Sequence, residues 1–333
     1  MSNQRKSSAP KALGDVLGEL NNPVGIVTQV SRSHQRLVDR ALEIRDFEVL
    51  EAQSLGFLSR VLVQVSLPHS NPGNNLEVWT RQNGNVYLTI QPKKYVRNGK
   101  IQTIGYPYGT IPRLLLIYLC TEAIRTNEPC IELGRSLSSF MHKLGMDATG
   151  GRWGSVQRLK DQMRRLLTAH IDFTYDNQGV TLDENASIAE RSMLWWDSHQ
   201  PEQDDLFTSF VQLNQKFFDQ IVAHPVPLDL RAVRELQKSP LALDLYTWLT
   251  HRVTYLKETQ RISWQSLSNQ VGSDYSDVKN FKRKAKAELK KITVLWPDLK
   301  LDDVRGGFLV KPSRPHVPEK TLVAFPSAAT LKK

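Results

Sequence analysis

Cysteine is scarce: Cys120 and Cys130 are the only two in 333 residues. Neither has the paired spacing of a thiolate metal site or a disulfide framework, so both are expected to be packing residues. Long apolar runs are also missing. None approaches the roughly 20 residues that a membrane span needs, and no membrane partner is expected. The start, MSNQRKSSAPKALG, lacks the apolar stretch of a secretory signal, which makes the cytoplasm the expected location. No GxxxxGK[ST] loop is present to cradle a nucleotide. The eight histidines, at 34, 69, 142, 170, 199, 224, 251 and 316, never form the His-hydrophobic-His pair that a metal-dependent DNA-nicking enzyme needs. The expectation is a chain with no catalytic site, no metal and no cofactor.

Basic charge is plentiful. Lys and Arg number 44 against 34 acids, a net charge of +10, which favours a polyanionic partner through counterion release. That argument gains force only if the excess is clustered on an element shaped to enter a groove.

The length suits two domains with short tails. Residues 1–45 mix Gly, Asn, Pro and Ser without a sustained period and read as a mobile basic tail with room for one short helix. From Phe57, FLSRVLVQVSLP and NLEVWTRQNGNVYLTIQP are strand-like, the second turning at Asn83, Gly84 and Asn85. An apolar helix from Pro112, a strand CIELG, a short helix after Ser136, a break at Thr149–Gly151, a longer helix to Ala169 and a hairpin turning at Asn177–Gly179 then follow. The same order returns in SPLALDLYTWLTHRVTYLK, RISWQSLSNQVG, SDYSDVKNFKRKAKAELKKI and a hairpin whose loop ends in Gly306 and Gly307. Helix, strand, helix, turn, helix, hairpin is the winged-helix order. The expected fold is therefore α+β, with tandem winged helices at 46–198 and 199–316, the first with an added small antiparallel sheet, and a tail at 317–333. HQPEQDD is the linker candidate.

The sharpest element is Ser276 to Ile292. At ~100° per residue, Val278, Phe281, Ala285, Leu289 and Ile292 form one buried stripe. Opposite lie Ser276, Lys279, Asn280, Arg283, Ala287 and Lys290, with Lys286 bordering and Lys284 and Lys291 flanking. A merely solvated helix would pair acids with bases at i, i+4; only Asp277 and Glu288 offset the charge here. Such a face suits the major groove of double-stranded DNA, where Arg and Asn match the acceptor patterns of bases. In the first half, Val156, Leu159, Met163, Leu166 and Leu167 form the apolar stripe. Arg158 and Arg165 lie on the other face with Asp161, bordered by Gln157 and Arg164, and Arg152 stands with Trp153 at the start, where a helix N-terminus favours phosphate. That helix either reads DNA or makes dimer contacts. The tryptophans 195, 196, 248, 264 and 296 either pack or stack on unpaired bases, and packing is the commoner use.

Five ordered segments, YPYGTIPRLLL, ELGRSLSSFMHKLG, TGGRWGSVQRLKDQMRRL, PLDLRAVRELQKSPLALDLYTWLT and PSRPHV, resemble the plasmid-encoded RepA replication initiators over roughly residues 100 to 316. The resemblance implies a protein that binds direct repeats at a plasmid origin, helps open adjacent A·T-rich DNA and recruits host replication proteins such as the helicase and its loader. It also implies a monomer–dimer equilibrium, with the first winged helix supplying dimer contacts, and a part in plasmid copy control. The matched segments transfer no catalytic residue. A helix-turn-helix transcriptional repressor without origin function is the alternative reading of the same pattern.

Overall fold

A computed structural model describes residues 31–49, 53–152, 154–177, 180–185, 187–194, 209–271, 275 and 277–318. Residues 1–36 constitute one unit and residues 37–333 another. The expected HQPEQDD linker, the turn at 178–179, Trp153, Trp195, Trp196 and Ser276 lie outside the described residues.

Helix α1 (Arg32–Asp46) occupies what the sequence suggested was the end of a tail. Leu37, Ala41 and Ile44 recur at helical spacing and lean on the core. Arg231 fixes the last turn by donating from Nη1 to the carbonyls of Glu43 and Phe47, at 3.3 and 3.1 Å. Strand β1 (Leu55–Ser59) is followed by helix α2 (Arg60–Gln64), where a continuous strand was expected. Val61, Leu62 and Val63 are all buried there, so tertiary packing overrides their β propensity.

Strands β2 (Trp79–Asn83) and β3 (Val86–Gln91) form the expected hairpin, with Gly84 at φ +56° in its turn. A ribbon that the sequence reading missed follows, β4 (Lys94–Arg97) and β5 (Lys100–Thr103), turning through Asn98 and Gly99 at φ +52° and +70°. Next come α3 (Thr110–Thr126), β6 (Cys130–Gly134), α4 (Leu137–Lys143), α5 (Ser155–Thr168), and the hairpin β7 (His170–Asn177) and β8 (Val180–Asn185). Then β9 (Ala189–Met193), β10 (Ser209–Leu213), α6 (Gln215–Ala223), β11 (Pro225–Asp229) and α7 (Leu230–Leu236) lead to α8 (Pro240–Tyr255). The chain ends in β12 (Gln260–Ser263), α9 (Trp264–Val271), α10 (Val278–Leu295), β13 (Leu301–Val304) and β14 (Gly307–Val310).

The sheets are small and antiparallel, and two of them join the halves of the sequence. Strand β1 pairs with β11, and β10 lies between β6 and β9. The hairpin β7–β8 does not return to β6 in the way that β14 returns to β12. Strand β3 occupies the free edge of β7 along its length, Val86 opposite Tyr175 through Gln91 opposite His170, making the sheet β2-β3-β7-β8. The two repeats of helix, strand, helix, helix and hairpin are therefore closed differently.

One apolar core runs through both halves. At its centre a buried polar cluster links the two long apolar helices: Arg113 of α3 forks onto Asp244 of α8 at 2.7 and 2.8 Å, and His69 Nε2 bonds the same carboxylate at 2.8 Å. Burial by itself would raise the Asp244 carboxyl, but the Arg113 guanidinium outweighs it and, with the His69 hydrogen bond, holds the group at about 2. Cys120 is buried, its thiol pushed up to about 12 by that burial, whereas Cys130 is exposed on β6 and does not pack.

Candidate nucleic-acid interface

Asp277 starts α10 by accepting the Asn280 amide at 2.7 Å, and Phe281, Ala285, Leu289 and Ile292 are buried, as the stripe required. The helix runs three residues further than expected, to Leu295, because Val294 packs on the core and Leu295 is buried within it. Lys279, Asn280, Arg283, Lys284, Lys290 and Lys291 are all exposed. Their environments differ. Asn280 Nδ2 donates to Asp277 at 3.1 Å, and Lys291 pairs with Glu288 at 2.8 Å. Lys286 is half-buried: its ammonium pairs with Asp303 of β13 and stands 5.8 Å from the Trp264 ring, so it fastens the hairpin to the helix. That leaves Lys279, Arg283, Lys284 and Lys290 as an exposed basic face.

The hairpin beside this face is drawn tight. Strands are ordered β12-β14-β13, and Val304 pairs with Gly307 across a turn of two residues, Arg305 and Gly306, the latter at φ +81°. Arg261 of β12 donates to the Arg305 carbonyl at 2.7 Å. Arg305 stands exposed at the tip. It was absent from the sequence-derived candidates, although an Arg before Gly-Gly in a hairpin loop is a readable signal.

In the first half, Val156, Leu159, Met163, Leu166 and Leu167 of α5 are buried and Arg152 and Arg158 exposed, as expected. Arg165 departs from the expected outward face. It pairs with Asp161 at 2.8 Å, donates to the Tyr106 carbonyl at 3.3 Å and lies 5.5 Å from the Tyr108 ring. A long side chain at the edge of a helix reaches back to bury its stem, and this one finds three partners there. Trp248, Trp264 and Trp296 are buried in the core.

No helix among the described residues is long and apolar enough to cross a membrane. Among curated proteins no sequence matches this chain. A solved structure, that of selenomethionine derivatives of domains 2 and 3 of RctB, is similar with a TM-score of 0.49 and 10% identity, over 75% of this chain and 96% of that one. A likeness so distant assigns no fold. The family described as plasmid encoded RepA protein matches residues 106–266, from the approach to α3 to the third residue of α9. The match includes α5 and stops before α10 and its hairpin. Residues 106–266, just under half of the chain, are thus similar to the plasmid encoded RepA protein family, in line with the resemblance read from the sequence.

Proposed function

We propose that this chain initiates plasmid replication by binding repeated sites in origin DNA, through a winged helix made of α8, β12, α9, α10 and the β13–β14 hairpin. The observation that carries the reading is the exposed face of Lys279, Arg283, Lys284 and Lys290, with the β13–β14 hairpin beside it. A helix presented in this way fits the major groove, and an exposed Arg in the wing fits flanking phosphates. The family match over residues 106–266 supports the plasmid setting.

In this reading α3 to β8 form a second unit of the same kind, whose hairpin has been absorbed into a larger sheet and whose α5 serves DNA or dimer contacts. No covalent step is assigned. Opening of A·T-rich DNA would draw on binding energy, and the host helicase and its loader would supply ATP-driven unwinding. The test is to transform a plasmid that has this chain's flanking DNA but no initiator, with the gene supplied in trans. Replication is the expected result. If the plasmid is lost while a reporter under the adjacent promoter is silenced, the chain is a repressor instead. Relaxation of supercoiled plasmid by the purified protein and Mg²⁺ would overturn the non-catalytic reading.

A further inference from the structure

The ribbon β4–β5 breaks two rules of strand pairing at once. Arg97 and Lys100 face each other directly across its turn, and like charges in that position cost stability. One step back, Val96 faces Ile101, and these side chains are 72% and 75% exposed, so the pair gains little from burial. From Gln91 to Tyr108 the chain carries Lys93, Lys94, Arg97 and Lys100 and no acid. Lys94 pairs with Glu77 at 3.1 Å; Arg97 and Lys100 form no ion pair among the described residues. Local violations of this kind mark a surface whose compensation comes from a partner.

The ribbon is also held in place. Its strands close at the root through the Ile104 amide donating to the Lys93 carbonyl at 3.0 Å, and the Tyr106 hydroxyl donates to the Leu76 carbonyl at 2.9 Å. Arg165 lies so close over Gly105 that a Cβ there would fall 2.5 Å from its Nη1. Arg164, the next residue of α5, stands 5.6 Å over the Tyr95 ring of β4. Two neighbouring arginines of α5, one of them expected to touch DNA, thus brace the ribbon against the exposed side of that helix.

We propose that the β4–β5 ribbon is a DNA-binding arm, with Arg97 and Lys100 on backbone phosphates and Val96 and Ile101 against the groove wall. This rests on the DNA-binding reading above and adds a contact that α10 does not make. The charge selects a polyanion, and a two-stranded ribbon has the width of the major groove. Apolar side chains flanked by cations can rest on thymine methyl groups there while the cations hold the phosphates, with no base-specific hydrogen bond.

The test uses the full chain and a random-sequence duplex of about 40 base pairs, with affinity measured by fluorescence anisotropy across salt concentrations. Arg97→Glu/Lys100→Glu should weaken binding at least about tenfold and reduce the salt slope by about two, from two lost phosphates at roughly 0.9 each. Val96→Ser/Ile101→Ser should weaken binding a few-fold with the slope unchanged, and neither pair should shift the thermal midpoint. An aryl azide on Lys100→Cys, in a Cys130→Ser background, should crosslink to the duplex. Unchanged affinity and slope in the charge-reversed chain, or no crosslink, overturns the arm. So does loss of a dimer in sedimentation by Val96→Ser/Ile101→Ser with DNA affinity intact, since the ribbon is then a self-contact. Lys284→Glu separates the two readings: if it weakens binding and the ribbon variants do not, the arm alone fails, whereas no binding by the unmodified chain removes the DNA reading itself.

Discussion

Arg283 and Lys284 are neighbours in sequence and both exposed, yet their places on α10 set different tasks. Arg283 projects from the centre of the face opposite buried Phe281 and Ala285, and Lys284 stands to one side. Arg283→Ala should cost about 1 to 3 kcal/mol on the cognate repeat and relax preference at one base pair, as a lost guanine contact does. Lys284→Ala should weaken all sequences alike, because a phosphate carries no sequence information. Binding to a panel of single-base variants of the repeat distinguishes the two patterns. Phe281→Ala should also lose binding, by a different route: its ring is fully buried, and the cavity should lower unfolding stability by about 3 to 5 kcal/mol in urea. If Arg283→Ala keeps both affinity and discrimination, α10 is not the reader, and α5 with Arg158 takes its place.

The hairpin β13–β14 depends on one close approach at the level of the element. Gly307 passes so near β12 that a Cβ would lie 2.0 Å from the Ile262 carbonyl oxygen, which backbone cannot yield without breaking the pairing of Ser263 with Gly307. Gly307→Ala should therefore displace the hairpin, cost about 1 to 3 kcal/mol and weaken DNA binding. Gly306→Ala meets only strain from its positive φ and should cost about 1 kcal/mol. Differential scanning calorimetry of the pair gives the comparison, and equal losses would count against a wing fixed by packing. What the sequence disclosed at this scale follows from period. The stripes of α5 and α10, the Ser136 cap and the hairpin turn at Gly84 are local signals, and they lie where expected. RVLVQ reads as a strand by its β-branched residues and folds as α2 because all three apolar positions are buried. Arg165 looked outward by helical angle, and only the fold brings Tyr106 and Tyr108 beneath it. The pairings of β1 with β11 and β10 with β6 leave no local trace, since residues so far apart in the chain share no turn that sets their register.

Those long-range pairings decide how residues 37–333 respond to cutting and to acid. A protease site inserted within 199–205 should yield fragments that co-elute, because β10 stays between β6 and β9, β11 stays on β1, and Arg113 stays forked on Asp244. Gel filtration in buffer that separates them would show the halves to be independent after all. Acid should act where cutting does not. His316 stacks on Trp296 with ring centres 5.1 Å apart, bonds the Tyr246 hydroxyl at 2.8 Å and is half-buried, and its removal from water lowers its pKa to about 4. His251 is lowered to about 4 by burial and then by Arg60 and Arg252, and burial likewise lowers His69 despite its bond to Asp244. Each is depressed relative to an unfolded value near 6.5, so the unfolded chain takes up protons first as pH falls. The neutral rings therefore stabilise the fold fully above about pH 6.5, and that stability is lost progressively toward pH 4. For His316 alone the loss between about pH 7 and pH 5 is about 2 kcal/mol. The Asp244–Arg113 pair is depressed in the same sense but about a lower window, below the ordinary carboxylate value and down to about 2, so it does not contribute to that loss. Urea unfolding should show a midpoint that falls steadily from pH 7 to pH 5, and His316→Asn, less stable at neutral pH for want of the stacked ring, should fall less. A midpoint flat over that range would mean that these histidines are already charged in the folded chain, or reach water in it.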